Sequence, residues 1–285
     1  MTESIESLKL SSLFSVEGKI VLVTGGGTGI GRMIATTFAI NGSKVYITGR
    51  RFDVLDATAK EINAQVKEHG GNGEVIPIQG DVSSKAKVKE FHERIASREE
   101  KLDVLINCAG VLIPFRSKAT DHNDVQDVQQ MLGNVEDEDI AIQSSINVAG
   151  PYFVTTAFAP MLLKSDNASV INIASIGAFA LQNAALTLMG YTAITLSSQL
   201  ASRLIPYGIR VNCSDAAAFH RKINALIPLP FLTDYPMTRP IKLSGNMLST
   251  SIKVEVAIPR TMRDSWNLLW NPLAPAEELV LGYNV

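Results

Sequence analysis

Short, nearly continuous apolar runs alternate with longer helical patterns along most of this 285-residue chain, and that alternation leaves few folds open. Lys19 to Thr24 (KIVLVT) is apolar almost throughout, as a strand covered on both faces must be. A helical pattern follows from Gly29 to Ile40 and stops at Asn41-Gly42. The spacing then predicts a strand at Lys44 to Thr48 and a polar helix from Phe52 to His69. A strand at Glu74 to Gln79, a helix from Ser84 to Ser97 and a fourth strand at Leu102 to Cys108 follow. Val111 to Asp139 is irregular and polar, and its acidic patch Glu136 to Asp139 reads as a solvated loop. Beyond it lie a long helix over Ile140 to Leu163, a strand at Ala168 to Ala174, a helix over Leu186 to Ile205 and a strand at Ile209 to Cys213. Strands that alternate with helices form βαβ units, which cross over right-handed into one parallel sheet. The expected class is therefore α/β, a doubly wound parallel sheet.

Composition supports a folded core and narrows the partners. Apolar residues make up 46% of the chain and charged residues 19%. A net charge of -2 offers no basic field for nucleic acid or anionic lipid. No stretch reaches the roughly 18 to 20 apolar residues that a membrane span needs. Met1 to Phe14 carries Glu3 and Glu6 and no long apolar run, so it does not read as a signal peptide. Cys108 and Cys213 sit in apolar runs, as buried small hydrophobes do. The expectation is a soluble cytoplasmic protein acting on a small molecule, with no metal, nucleic-acid or membrane partner.

Between the first strand and the first helix stands Thr24-Gly25-Gly26-Gly27-Thr28-Gly29-Ile30-Gly31. Glycines at that turn permit a tight bend and close backbone approach to a pyrophosphate. The helix that follows offers free N–H groups and a partial positive charge. A lone glycine-rich string is weak evidence, but this one lies on the first strand–helix turn, where a dinucleotide binds a Rossmann-type fold. The second strand ends in Thr48-Gly49-Arg50-Arg51. An acidic residue there suits the ribose hydroxyls of NAD, whereas Arg50 and Arg51 suit a 2′-phosphate by charge and bidentate geometry. The cofactor implied is NADP(H).

These residues resemble the short-chain dehydrogenase/reductase family, in the manner of its 3-oxoacyl-reductase-like members. The glycine string has that family's TGxxxGxG spacing, and Asp81-Val82 follows the third strand where the family contacts adenine. Asn107-Cys108-Ala109-Gly110 looks like its NNAG turn, with cysteine in the second place. Asn147, in SINVAG, matches the family's structural and proton-relay asparagine. Ser175, in INIASIG, matches the serine that holds the substrate carbonyl. The resemblance runs from about Val16 to Asn212. It implies a Rossmann domain over 17–285 behind an N-terminal extension 1–16, and a homo-oligomer, dimer or tetramer, built on the helices at Ile140 to Leu163 and Leu186 to Ile205.

The family's chemistry also needs a tyrosine, with a lysine one helical turn later on the same face. This chain has Tyr191 followed by Thr195. Counted back from Gly208-Ile209-Arg210-Val211-Asn212, the family's tyrosine lies about 22 residues before that glycine, roughly six helical turns. That register places Leu186 at the tyrosine position and Gly190 at the lysine position, and aligns LSSQLASRLIPYGIRVN without gaps. Making Tyr191 catalytic instead requires a deletion inside a helix, and five residues turn a side chain by about 140 degrees. Either register loses the lysine. The family's Pro-Gly turn after the sixth strand is also replaced, by Ser214-Asp215-Ala216-Ala217. Asp215 stands at the carboxyl end of a strand, where α/β sheets bind ligands, and reads either as a site carboxylate or as a turn aspartate. His220 reads as a surface histidine in the divergent region 214–285, where Leu226 to Pro240 is rich in proline and Glu277 to Val285 is a candidate last strand.

Three functions remain open. One is an NADP(H)-dependent oxidoreductase with altered proton delivery, with Ser175, Asn147, Asp215 and Tyr191 as its candidate catalytic residues. Another is a cyclase or isomerase, of Diels–Alder type, on a borrowed reductase fold. The third is a catalytically inactive cofactor-binding subunit.

Overall fold

The computed structural model describes residues 12, 14–113, 124–175 and 184–215, and for 131–132, 184–191 and 215 the backbone only. All lie in the first of the two compact units into which the chain divides, Met1–Pro228. The expectations for most of the extension 1–16, for His220 and for a last strand at Glu277 to Val285 lie outside the described residues.

Six strands form one parallel sheet: β1 (Ile20–Thr24), β2 (Lys44–Gly49), β3 (Glu74–Gln79), β4 (Val104–Asn107), β5 (Ser169–Ala174) and β6 (Arg210–Asp215). Their order is β3-β2-β1-β4-β5-β6. The chain starts in the middle, winds outward to β3, then crosses back to β4, so the order reverses between β1 and β4. Ligands of doubly wound sheets bind at that reversal, outside the carboxyl ends of the strands. Alternation along each strand feeds two cores. Leu22, Tyr46, Leu105 and Val170 join Val88 and Phe91 of α3 (Lys85–Ala96) and Val154 and Phe158 of α6 (Gly150–Leu162). Val21, Val23, Val45, Ile47 and Ile106 join Ile34 of α1 (Gly29–Ile40) and Leu55 and Ile62 of α2 (Phe52–Glu68).

The expected α/β architecture is present, and three local expectations change. The stretch Val111 to Asp139 is not irregular throughout, since it holds helix α4 (Val125–Gly133). Asp124 starts that helix by accepting the N–H groups of Gln126 and Asp127 at 2.8 and 2.9 Å. The acidic patch is a helix start rather than a loop: Glu136 and Asp139 form a capping box at the head of α5 (Asp137–Ser144). Carboxylates there meet free N–H groups and the positive end of the helix dipole. The helix expected from Ile140 to Leu163 is broken by a π-helical turn, Ser145–Ala149, before α6 resumes at Gly150. Helix α7 (Ala184–Leu204) and a short 3-10 turn, Ile205–Tyr207, lead to β6. β6 reaches Asp215, two residues beyond the expected Cys213.

At the amino-terminal end of the sheet, Asp103 ties three elements together from a fully buried position. Its Oδ2 accepts the N–H of Ile20 at 2.9 Å, its Oδ1 accepts the Ser165 hydroxyl at 2.5 Å, and Lys101 Nζ lies 3.3 Å from Oδ1. Burial alone would raise this carboxyl, but those hydrogen bonds and the lysine charge hold it below the usual carboxylate range. The folded state therefore binds fewer protons here than the unfolded chain. The contribution is complete above an unfolded value of about 4 and is lost as pH falls through the lower folded value. Asp103→Ala is expected to cost about 3 kcal/mol in urea unfolding at pH 7. It is also expected to flatten the acid limb of stability against pH; an unchanged limb contradicts the assignment.

Candidate functional site

The glycine turn is shaped by what surrounds it. Gly25 has φ 70° and donates its N–H to Thr48 O at 2.8 Å, which bends the chain across the end of β2. A Cβ on Gly25 would stand 2.9 Å from Ala109 Cα, and one on Gly26 would stand 2.6 Å from Ile47 Cγ2. A Cβ on Gly31 would collide with the carbonyl of Gly25, so the first turn of α1 lies directly on the loop. Gly29 has φ 53° and open space where its Cβ would be. Ile30 is half-buried against the α1–α2 core. Thr28 is the N-cap residue of α1 but makes no side-chain cap bond, and the helix has no acidic residue in its first turn. An uncapped helix start behind side-chain-free backbone is what a pyrophosphate requires.

Thr24 also has a structural part. Its buried hydroxyl accepts the N–H groups of Cys108 and Ala109 at 3.0 and 3.1 Å, stitching the end of β1 to the turn after β4. Gly27 O accepts the Thr58 hydroxyl at 2.8 Å, which fixes the far side of the loop to α2. Arg50 and Arg51 are both exposed at the end of β2. The Arg50 carbonyl is held by Gln79 Nε2 at 3.0 Å, leaving the guanidinium to solvent or ligand. Asp81 accepts the Ser83 N–H at 2.9 Å and pairs with Lys87 at 2.8 Å. Its partial burial would raise the carboxyl, and those partners outweigh it, so the group lies below the usual carboxylate range. Val82 is buried against Gly150, whose absent side chain lets the turn after β3 approach the head of α6.

Below the edge runs a buried polar chain. Asn107 Nδ2 donates to Thr155 Oγ1 of α6 at 3.2 Å and to Asn172 Oδ1 of β5 at 2.8 Å. Asn172 Nδ2 donates in turn to Ser197 Oγ of α7 at 2.8 Å. Four side chains thus link two helices across two strands. Two buried atoms at the carboxyl ends, Thr48 Oγ1 and Asn107 Oδ1, lack a partner among the described residues. Buried polar atoms are nearly always paired, so two at one edge are open to a ligand or ordered water. Cys108 has its thiol pushed up to about 11 by burial, so it is a neutral packing group and no nucleophile near pH 7.

Asn147 lies in the π-helical turn, and its amide grips the loop after β4 from both sides. Its Oδ1 accepts the Val111 N–H at 2.9 Å and its Nδ2 donates to Val111 O at 2.8 Å. Gly110 is exposed beside it. Ser175 follows β5 and is exposed at the carboxyl edge. The strand register pairs Ala174 with Asp215, which places the Asp215 backbone beside the approach to Ser175. On α7, Ser197 marks the side turned to the sheet. Gly190 precedes it by about two helical turns and Leu186 by about three, so both positions share that side. Position 191 stands about 120 degrees away. The side chains of 184–191 and of Asp215 lie outside the described residues.

Sequence reasoning missed the polar chain through Asn107, Asn172 and Ser197, and the tie made by Thr24. No local pattern announces bonds between residues so far apart in the chain. Two substitutions separate crowding from conformation in the glycine turn. Gly31→Ala is expected to lower stability by about 2 kcal/mol in urea unfolding, through overlap with the Gly25 carbonyl. Gly29→Ala is expected to cost about 1 kcal/mol, through φ strain alone. Equal costs would contradict the packing described.

Comparison with known proteins agrees with this geometry. A model of the short chain dehydrogenase family matches residues 19–226. Short-chain dehydrogenase/reductase PhomF of Diaporthe leptostromiformis is 32% identical over 255 residues, covering 86% of this chain and 85% of its own. A metagenomic short-chain oxidoreductase in complex with NADP superposes with a TM-score of 0.58 at 26% identity, over 70% of this chain and 82% of its own. The RhlG/NADP active-site complex of Pseudomonas aeruginosa gives 0.57 at 25% identity, over 75% and 79%. With the sheet order, the glycine turn and Asn147 all in place, the chain belongs to the short-chain dehydrogenase family.

Proposed function

We propose that this protein is an NADP(H)-dependent oxidoreductase that acts on a small biosynthetic metabolite without a tyrosine–lysine pair. The observation that carries this is the contrast between the two halves of the site. The glycine turn has the shape a pyrophosphate needs, whereas Leu186 and Gly190 stand on the sheet side of α7. The backbone of Gly25, Gly27, Thr28, Gly29, Ile30 and Gly31 would hold the pyrophosphate. Arg50 and Arg51 would hold the 2′-phosphate, Asp81 and Val82 the adenine, and Asn107, Ala109 and Gly110 the adjoining ribose. Two structural neighbours carry NADP, which supports the same choice here. The cofactor, when bound, supplies a hydride.

This chain's own residues then have less to do than in a carbonyl reductase. Asn147 keeps the loop after β4 in place, and Ser175 offers a hydroxyl at the carboxyl edge for the substrate's polar group. The Asp215 backbone stands beside the approach to Ser175, and an acidic residue at that position favours a substrate that is positively charged at the reacting carbon, such as an iminium. An electrophile of that kind accepts hydride without a proton donor at its heteroatom, so the tyrosine is dispensable. A second reading, a non-redox cyclase, draws on the same absence, since positioning alone lowers barriers of that kind.

Deuterium tracing separates these. Protein supplied with 4-deuterated NADPH and a panel of cyclic iminium ions and ketones is expected to give deuterated product, read by mass spectrometry. Ser175→Ala is expected to lower kcat about 100-fold. Tyr191→Phe is expected to leave kcat within about twofold, since position 191 stands about 120 degrees from the side of α7 that Ser197 marks. Turnover with no deuterium in any product overturns the redox reading and favours the cyclase. A large loss in Tyr191→Phe restores the tyrosine to the mechanism.

A further inference from the structure

The segment leaving β4 is anchored at every second residue. Thr24 Oγ1 accepts the N–H of Ala109 at 3.1 Å. Asn147 takes both backbone groups of Val111. Gln143 Oε1 accepts the N–H of Ile113 at 3.3 Å. The residues between the anchors, Gly110 and Leu112, are exposed, Leu112 by 59%. Val111 and Ile113 are half-buried while Gly110 and Leu112 are exposed, so the segment has one held side and one open side.

Gln143 is an unusual residue to find there. It is 4% exposed, on a helix face where an apolar side chain would pack with no polar atom to satisfy. Its amide is used at both ends: Oε1 takes Ile113 N–H, and Nε2 donates to Asp139 O at 3.3 Å. Asp139 and Gln143 share one face of α5, and Asn147 in the π-helical turn that follows reaches the same segment as Gln143. The capping box at Glu136 and Asp139 sets where that helix begins, and therefore where the two amides stand. Asn147 alone would hold the segment at one point, about which it can swing. Two amides a helical turn apart hold it at two and fix its direction.

We propose that Gln143 is a positioning residue, which acts through the main chain of Ile113 to hold Val111 to Ile113 as a fixed wall of the substrate cleft. The wall meets the cleft with the Leu112 side chain, so it favours a substrate with an apolar part at that place. This rests on the carboxyl edge being the cofactor and substrate cleft proposed above. The role needs no proton transfer and no charge. A wall held in one place shortens the search for the reactive geometry.

The test uses the full-length protein, Gln143→Met and Gln143→Glu. Methionine matches the length and removes the acceptor, whereas glutamate keeps one. Amide exchange is followed by mass spectrometry on peptides covering 109–113, and at Val111 and Ile113 individually by NMR. Both amides are expected to be protected in the native protein; rapid exchange at Ile113 overturns the proposal without any variant. Exchange of the segment is expected to rise about tenfold in Gln143→Met, the loss of one modest hydrogen bond, and to stay within about threefold of native in Gln143→Glu. Native-like exchange in the methionine variant, or equal loosening in both variants, overturns it, the latter because only packing would then be at stake. NADPH affinity by calorimetry is expected to stay within twofold throughout, since the glycine turn is untouched. With a ketone or iminium that the native protein reduces, Gln143→Met is expected to raise KM about fivefold with kcat within about twofold, and Gln143→Glu to restore KM. An unchanged KM in Gln143→Met overturns the role in substrate positioning. If the native protein reduces no member of the panel, the oxidoreductase reading fails, and the exchange results alone decide whether Gln143 fixes the segment.

Discussion

The contact between the end of β1 and the turn after β4 is the constraint on which the rest of the site depends. Thr24 supplies two hydrogen bonds to that turn, and Gly25 lets its backbone come within touching distance of Ala109. This is where the strand order reverses, and the contact carries the β1–β4 pairing, which ends at Thr24 and Asn107, on into the turns that follow. The glycine turn, the NCAG turn and the segment held by Asn147 and Gln143 all radiate from this one contact. A larger side chain at Gly25 would push β4 away and move each of them.

Beneath that edge the protein uses amides and hydroxyls where it uses aliphatic side chains elsewhere. Asn107, Thr155, Asn172 and Ser197 are all buried, and each spends hydrogen-bonding capacity on another of the four. Such a layer is directional, which hydrophobic packing is not, so it fixes the spacing of α6 and α7 over β4 and β5. Helix α7 presents Ser197 to the sheet, and Leu186 and Gly190 occupy positions on the same side toward its amino-terminal end.

Much of the fold was legible in the residues because local signals and tertiary structure agree there. The first helix spans Gly29–Ile40 as read, since the glycine turn starts it and Asn41-Gly42 stops it. All six strands were found because buried parallel strands are continuous apolar runs. The acidic patch at Glu136 to Asp139 misled because charge was read as solvation, when three carboxylates in a first turn serve the helix that follows. Helix α4 escaped because it is only nine residues long, although Val125, Val128 and Leu132 fall at helical spacing and Asp124 stood at its cap. The π-helical turn at Asn147 lies within one uninterrupted helical pattern, so periodicity has no way to show it. In the site, the glycine string was readable from its place, while Gln143 and the Thr24 tie were not, because they pair residues from distant parts of the chain.

Cofactor binding without the usual proton relay is the feature on which the proposed reaction turns. Calorimetric titration of the native protein with NADPH and with NADH tests it most directly. Two guanidinium groups facing a 2′-phosphate predict micromolar NADPH binding and NADH at least about tenfold weaker, a difference of about 1.4 kcal/mol or more. Equal affinity for the two would remove Arg50 and Arg51 from the cofactor site. Binding of neither at millimolar concentration would contradict the account itself, leaving the glycine turn as packing alone.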